Sequence, residues 1–288
     1  MAQFKTHCYE IKLLTNMHTG SGDANNGIID KLVQRDPITN YPTIHASSLK
    51  GALREYFAKE KGMGEKNGFI LHVFGSDPKE KVGLKNGEYR FFSADLFLLP
   101  VRSSLQQFYL ATEPKIAKSL KNKLELLGIS DKETNNLLAK LGELALQKEN
   151  NGTTGTESDK PFIYTGMDGT MLEDCEATLK QGAPDNIKEL DALYENKLAL
   201  FSNSNFDSLA TNLPVIARNN LENGKSQNLW YEEIVPHQTR FLTFVSVPQT
   251  NGGDSYFEQF NEGLTESVIQ VGANSSIGYG MCHFTKLT

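Results

Sequence analysis

Asp30 is the residue of this chain whose type and surroundings best suit chemistry. It follows a Gly-rich stretch, residues 20–27, and has apolar neighbours at Ile28, Ile29 and Leu32. A carboxylate in such a place can take a proton from a ribose 2′-hydroxyl, or help to hold a divalent ion. The alternative is an ordinary surface or turn acid, since no second carboxylate accompanies it at metal-ligand spacing.

Two histidines, His18 and His45, flank the Asp30 region. Either could serve as a general acid or contact a phosphate, although a lone histidine commonly has only a packing or hydrogen-bonding role. The G-x-S-x-G, H-E-x-x-H and C-x-x-C motifs are absent from the sequence, which argues against a serine hydrolase or a zinc enzyme.

A predicted helix that begins at Ser47 and Ser48 is a candidate anion site. The two hydroxyls are good N-caps, and free N–H groups with the helix dipole favour negative charge at this end. Lys50 and Arg54 are four residues apart and share one face of the helix. The simpler interpretation is ordinary capping with a solvated basic face.

A second candidate is the Gly-rich loop from Gly272 to Gly280. It has neither the closing Gly-Lys-Ser/Thr of a Walker loop nor the G-x-G-x-x-G spacing of a dinucleotide site. Small side chains and exposed N–H groups could instead lie against a phosphate chain, or the loop could simply be a tight hairpin between two strands. The candidate RNA-binding residues of the loop are Gly272, Asn274, Ser275, Gly278, Tyr279 and Gly280.

Trp230, Tyr231 and Glu232 lie in a polar stretch, residues 219–238, that we expect to be rich in turns. Aromatic side chains on an exposed loop can stack on bases or wedge between them. They could equally anchor the loop or dock a neighbouring subunit.

The remaining pattern predicts the elements that must position these residues. Alternating polar and apolar residues predict strands at 6–14, 89–99, 213–218, 240–247, 268–271 and 281–287, with a short strand around Asp30 at 28–33. Helical spacing predicts helices from Ser47 to a C-cap at Gly62 and at 115–127, 130–147 (with a capping box, Ser130 and Glu133) and 255–264. Two halves of strand, helix and further strands indicate an α+β, ferredoxin-like fold with antiparallel sheets.

Taken over the whole chain of 288 residues, the net charge of −6 argues against a nucleic-acid partner. The acids are concentrated, however, in residues 157–195, where ten acidic residues and three lysines give −7. The other residues therefore sum to +1 and can carry basic patches.

Cysteine usage and hydropathy indicate the cytoplasm. The three cysteines are far apart and form no metal-ligand pair, which fits reduced thiols. No stretch approaches the roughly 20 apolar residues of a membrane helix, and residues 1–17 lack the apolar run of a signal peptide. We therefore expect a cytoplasmic protein with no membrane partner.

Four stretches taken together resemble the RAMP superfamily of CRISPR-associated proteins. From His18 the chain reads H-T-G-S-G, then I-I-D-x-x-V-x-R-D-P-x-T-x-x-P-x-I-x-x-S-S-L-K-G-x-L-R. Residues 92–103 (FSADLFLLPVRS), 228–236 (NLWYEEIVP) and 269–280 (IQVGANSSIGYG) follow in family order. The combination is similar to the repeated backbone subunit of type III effector complexes, in its type III-B version.

The resemblance implies a fold and an assembly. A single domain, residues 1–288, would form an RRM-like palm from both halves, with a helical and acidic insertion at 108–195 and a β-hairpin thumb within 203–238. Several copies would stack along a guide RNA together with other subunits of the complex. Each thumb would displace one base pair of the guide–target duplex.

The resemblance also implies roles for individual residues. Asp30 matches the aspartate that cleaves target RNA with a divalent metal ion, expected to be Mg²⁺ or Mn²⁺, and Asp30 would be its ligand. His18 matches a motif histidine, while Lys50 and the Gly-rich loop would lie against the guide backbone. The chain departs from the family at Ala273, where a glycine is usual, and at Tyr279, where a basic residue is common, so the loop would make fewer phosphate contacts.

Two other functions stay open on the sequence. The chain could be a purely structural RNA-binding subunit of such a complex. It could also be a RAMP ribonuclease that processes guide RNA alone, a class that usually relies on histidine or tyrosine.

Overall fold

The structure is a computed structural model of the 288-residue chain that describes residues 3–22, 27–77, 84–129, 132–146, 159–249 and 254–287. The predicted capping box lies outside these residues, because Ser130 and the side chain of Glu133 are not among them.

Within the described ranges the chain forms seven α-helices and fifteen strands. The helices are α1 Ala46–Glu55, α2 Gly68–Val73, α3 Pro114–Leu126, α4 Lys132–Leu146, α5 Asp185–Leu193, α6 Asn203–Thr211 and α7 Phe257–Thr265. The strands are β1 Gln3–Leu13, β2 Thr43–Ile44, β3 Arg90–Phe91, β4 Ala94–Arg102, β5 Phe108–Thr112, β6 Phe162–Ile163, β7 Met171–Leu172, β8 Cys175–Glu176, β9 Thr178–Leu179, β10 Leu198–Leu200, β11 Val215–Glu222, β12 Lys225–Glu233, β13 Arg240–Gln249, β14 Val268–Gln270 and β15 Met281–Lys286.

The first of two compact units comprises residues 1–95, 213–237 and 241–287. Its sheet has the order β14-β15-β1-β13, and β3 pairs antiparallel with β13. The series β1-α1-β3 and β13-α7-β15 therefore repeats a strand–helix–strand unit, with β1 and β13 central. This order is ferredoxin-like and confirms the predicted fold class.

An aromatic cluster forms the core of the first unit. The ring of Phe57, in the π-helical turn Tyr56–Glu60 that continues α1, lies 5.0 Å from that of Phe69 and 5.8 Å from that of Phe260. All three side chains are buried. Because burial of each ring removes a large apolar area from water, this cluster fixes α1, α2 and α7 within the unit.

The second unit comprises residues 96–212 and 238–240. Strand β5 pairs antiparallel with β4 and parallel with β10, and β10 continues to β6 and β9. Helices α3, α4 and α5 also belong to this unit, as do all described residues of the predicted 108–195 insertion. The acidic stretch is thus separate in sequence and in unit from Asp30.

An antiparallel hairpin, β11 and β12, projects exposed side chains on both faces over most of its length. Asn223 and Gly224 form its two-residue turn, both with positive φ, as such a turn requires. The prediction of a turn-rich excursion at 219–238 was therefore wrong, because most of that stretch is regular strand. Of the thumb candidate 203–238, residues 203–211 form α6 and residues 215–233 form the hairpin.

Two further local predictions were wrong. Helix α1 begins at Ala46 with His45 as N-cap, so Ser47 and Ser48 lie inside its first turn and do not cap it. Residues 28–33 form no strand, because each bridge of this segment goes to a different partner: Lys31 pairs with Glu232, and Val33 with Gly20. The segment makes isolated bridges and bends at Ile28 and Asp30, and it never joins a continuous ladder.

Candidate active site

Asp30 lies in a segment, residues 27–35, that pairs with the end of β12. The backbone N–H groups of Asp30 and Lys31 both donate to the carbonyl oxygen of Tyr231, at 3.1 Å each. The N–H of Glu233 in turn donates to the carbonyl of Lys31 at 2.9 Å. We call residues 27–35 the Asp30 segment; these bonds tie it to the base of the hairpin.

The Asp30 carboxylate is oriented by one backbone amide. Its Oδ2 accepts a hydrogen bond from the N–H of Tyr231 at 2.7 Å, a short distance typical of a charge-assisted bond. The side chain is exposed, and its Oδ1 has no partner in the described part of the chain. One carboxylate oxygen is therefore held in place while the other faces outward.

Glu233 holds the Asp30 segment in place through its side chain. Its buried carboxylate receives the Val33 N–H on Oε2 at 3.0 Å and pairs through Oε1 with the guanidinium of Arg35. Buried charges are tolerated when they are paired and hydrogen-bonded in this way. The bonds fix the two residues that follow Asp30 by three and five positions.

His18 lies beneath the same region and is buried. Its Nδ1 is 2.8 Å from the carbonyl oxygen of Glu233. Because a carbonyl only accepts, Nδ1 carries the proton, and in the neutral ring Nε2 is left as the acceptor. A Cβ on Gly20 would lie 3.3 Å from Nε2, so the chain at Gly20 covers this edge of the ring.

The Gly-rich loop connects the antiparallel strands β14 and β15, but it spans residues 271–280 and is therefore longer than the tight hairpin that the sequence left open. A Cβ on Gly272 would lie 2.6 Å from the carbonyl oxygen of His18, and one on Gly280 would lie 2.0 Å from that of Val271. Both have positive φ, so both positions require glycine.

Backbone amides of this loop are mostly used within the protein. Ala273 donates to the carbonyl of His18 at 2.8 Å, Gly278 to that of Ser275 at 3.0 Å, and Gly280 to that of Asn16 at 2.8 Å. The bonds from Ala273 and Gly280 brace the His18 region, the bond from Gly278 stays within the loop, and none of these three N–H groups is available to a phosphate. The hydroxyl-bearing Ser275 is exposed.

Glu232 joins the loop to the hairpin. Its buried carboxylate accepts from Nδ2 of Asn274 at 2.6 Å and from Nη2 of Arg218 at 3.2 Å. The guanidinium carbon of Arg218 lies 4.6 Å from the centre of the Tyr279 ring. The structure thus brings together three residues that the sequence singled out, and adds Arg218, which the sequence analysis missed.

In the first turn of α1, the two serines predicted to cap the helix have different surroundings. Ser47 is exposed, whereas the Ser48 hydroxyl accepts a hydrogen bond from Nε2 of Gln34 at 2.8 Å. Gln34, also missed, further accepts the N–H of His45 at 2.8 Å, and so ties the Asp30 segment to α1.

The two basic residues of α1 have different surroundings. The half-buried Lys50 has no carboxylate partner among the described residues, and burial, with a smaller contribution from nearby Arg54, lowers the pKa of its ammonium. Arg54 donates to Glu65 and to the carbonyl of Gly75 at 2.8 Å. Lys50 is the freer of the two to meet an anion.

A metal cage is not present in the part of the chain that the structure describes. No group of three or more histidine, cysteine, aspartate or glutamate side chains converges there. An ion at Asp30 would therefore take most of its ligands from water and substrate. Among the described helices, none has the length and apolar character to cross a bilayer.

Residues 10–283 match the RAMP superfamily. A curated relative, the CRISPR system Cmr endoribonuclease Cmr4 of Pyrococcus furiosus, is 27% identical over 293 residues, which cover 99% of this chain and 95% of the relative.

Two solved structures share the fold over nearly their full length. A chain of the Type III-B Cmr-beta complex bound to cognate target RNA has a TM-score of 0.77 at 22% identity, with 98% of this chain and 97% of that one covered. Oligomeric Cmr4 from Pyrococcus furiosus has a TM-score of 0.67 at 20% identity, with 99% and 100% covered. The chain belongs to the RAMP superfamily.

Proposed function

We propose that this chain is a backbone subunit of a type III-B RNA-guided effector complex, in which it binds guide RNA and cleaves complementary target RNA. The observation that carries the proposal is the Asp30 carboxylate, exposed at the base of a protruding hairpin, with one oxygen held by Tyr231 N–H and the other open. Similarity to an endoribonuclease over the full chain, and the fold shared with a complex bound to target RNA, support it.

The arrangement suits transfer of a proton from a ribose 2′-hydroxyl. The open Oδ1 of Asp30 would accept that proton as the 2′-oxygen bonds to the adjacent phosphorus. The bond from phosphorus to the 5′-oxygen then breaks, and the leaving oxygen takes a proton from water. A nucleotide displaced from the duplex can align its 2′-oxygen with the phosphate, so much of the acceleration would come from geometry.

In the alternative role, the open oxygen would not act as the base but would bind a divalent ion, Mg²⁺ or Mn²⁺, with Asp30 as its ligand from the described residues. Mg²⁺ is often bound through one or two carboxylates together with substrate phosphates and water, so the open oxygen of Asp30 is a suitable ligand. When bound, the ion would stabilise negative charge on the reacting phosphate. Among the described residues we assign the ion to Asp30, since His18 is buried and Gly20 lies against its Nε2.

The RNA-contacting surface would include the exposed Ser47 and the half-buried Lys50, both in the first turns of α1, and Ser275 on the Gly-rich loop. His18 and Ser48 would act indirectly, because each is bonded inside the protein. In the cytoplasm, copies of the chain would assemble along the guide with other subunits. The near-neutral charge outside residues 157–195 is consistent with this, because each copy need hold only a short RNA segment.

Reconstitution with guide RNA and partner subunits tests the proposal. Wild type and Asp30→Ala are compared for target cleavage with and without a divalent ion. We expect Asp30→Ala to assemble and bind guide RNA normally while cleavage is lost. Retained cleavage would favour a purely structural subunit, and loss of assembly would make Asp30 structural. Metal-independent cutting of repeat RNA by the isolated chain would favour a guide-processing ribonuclease.

A further inference from the structure

Two cations and two aromatic rings form a row at the base of the hairpin. Arg218 and Trp230 are directly opposite each other on β11 and β12, and so share one face of the hairpin. The ammonium of Lys31 lies 5.1 Å from the centre of the Trp230 ring, and the guanidinium carbon of Arg218 lies 4.6 Å from that of Tyr279. We call Lys31, Trp230, Arg218 and Tyr279 the cation–aromatic row.

Arg218 is held in one orientation, and some of its N–H groups remain unbonded. Glu232 accepts from its Nη2, and the Tyr279 ring covers one face of the guanidinium. Its other N–H groups have no partner in the described part of the chain. A planar guanidinium that is held by a carboxylate and a ring, with open N–H groups, is preorganised to bind a phosphate.

Lys31 is the second cation of the row and, unlike Arg218, has no acidic partner among the described residues. It is exposed, directly follows Asp30, and its ammonium lies over the Trp230 ring. The indole is therefore already covered on one face and half-buried, so it acts as a support for Lys31. This differs from a ring that is free to wedge between bases.

We propose that the cation–aromatic row is a phosphodiester-binding surface, with Arg218 and Lys31 contacting phosphates of the RNA that passes Asp30. This rests on the proposed function, in that the chain must bind RNA. The proposal also accounts for Tyr279. The guanidinium of Arg218, from the hairpin, lies over the Tyr279 ring and supplies positive charge beside the loop, although the loop has no basic residue at this position.

The salt dependence of RNA affinity tests the proposal. All variants are built on Asp30→Ala, so that cleavage does not enter the measurement. One arm measures binding of labelled guide RNA by the full chain, and the other measures binding of labelled complementary RNA by the complex already assembled on its guide. Arg218→Gln and Lys31→Gln are compared with Arg102→Gln, a highly exposed arginine of the second unit.

We expect Arg218→Gln and Lys31→Gln each to weaken binding about tenfold and to lower the slope of log K against log[salt] by about 0.7 to 1. The arm in which the slope falls identifies which strand the row contacts, and Arg102→Gln should change neither quantity. Arg218→Gln leaves the buried carboxylate of Glu232 without its cation and could fold poorly. Lys31→Gln leaves no buried charge unpaired, so its RNA affinity can be measured in either case. Unchanged slopes for Lys31→Gln in both arms would overturn the proposal. Absence of RNA binding by the parent chain would instead contradict the proposed function.

Discussion

Asp30 and Glu233 lie in paired segments, yet their carboxylates are in opposite situations. Glu233 is buried, and both of its oxygens are bonded, one to Arg35 and one to the Val33 N–H. Asp30 is exposed, with one oxygen bonded to Tyr231 N–H and the other open. A fully bonded buried acid serves to hold structure, whereas an oriented but open acid can meet substrate. The comparison assigns a positioning role to one and chemistry to the other.

Among these variants, replacement of the buried Glu233 should have the strongest effect on folding. Glu233→Ala removes the carboxylate that pairs with Arg35 and accepts the Val33 N–H, and we expect the free energy of unfolding to fall by about 3–5 kcal/mol. Urea denaturation measures it. Glu222→Ala, an exposed acid of the same hairpin, is the matched control and should change it by less than about 0.5 kcal/mol. A loss below about 1 kcal/mol for Glu233→Ala would contradict the structural role assigned to Glu233.

Cleavage should also depend on where the exposed Asp30 carboxylate lies, and not on its charge alone. Asp30→Glu keeps the negative charge but lengthens the side chain by one methylene, which moves the carboxylate away from the Tyr231 N–H. We expect single-turnover cleavage to slow by about 10- to 100-fold with RNA affinity unchanged. Cleavage within threefold of wild type would mean that the bond to Tyr231 does not position the carboxylate.

The Gly-rich loop offers a smaller test of how the region is braced. Gly272→Ala places a Cβ against the carbonyl of His18, whereas Gly278→Ala meets nothing within 4 Å, and both have positive φ. We expect Gly278→Ala to cost about 1 kcal/mol of stability and Gly272→Ala about 2–3 kcal/mol. Equal costs, measured by denaturation, would show that contact with His18 is unimportant.

The sequence predicted the ferredoxin-like order, and most of the helices and strands that it predicted match elements of the structure, because their periodicity is local. It did not predict the strands β2, β5 to β10 and β12, nor the helices α2, α5 and α6. It also singled out Asp30, through its glycine-rich approach and apolar neighbours. It misplaced the start of α1, because Ser47 and Ser48 satisfy the capping pattern while His45 takes the N-cap position. Which of several caps is used depends on tertiary bonds such as that from Gln34 to Ser48.

Arg218 was missed for a different reason. The Asn223-Gly224 turn was a visible hairpin signal, but a bulge at Asn220 and Leu221 shifts the register by one. Without it, Arg218 would face Leu229 on the other side of the hairpin, since a one-residue slip exchanges the faces. The network of Glu233, which joins residues about 200 positions apart, is likewise invisible to local patterns.

Asp30→Asn in the reconstituted complex tests the central claim most directly. The amide has the shape of the carboxylate and its oxygen can still accept the Tyr231 N–H, so only the charge and basicity are lost. At saturating target RNA we predict that single-turnover cleavage falls by about 10²- to 10⁴-fold, with assembly and RNA affinity unchanged. Cleavage within a few-fold of wild type by a fully assembled Asp30→Asn complex would contradict the account.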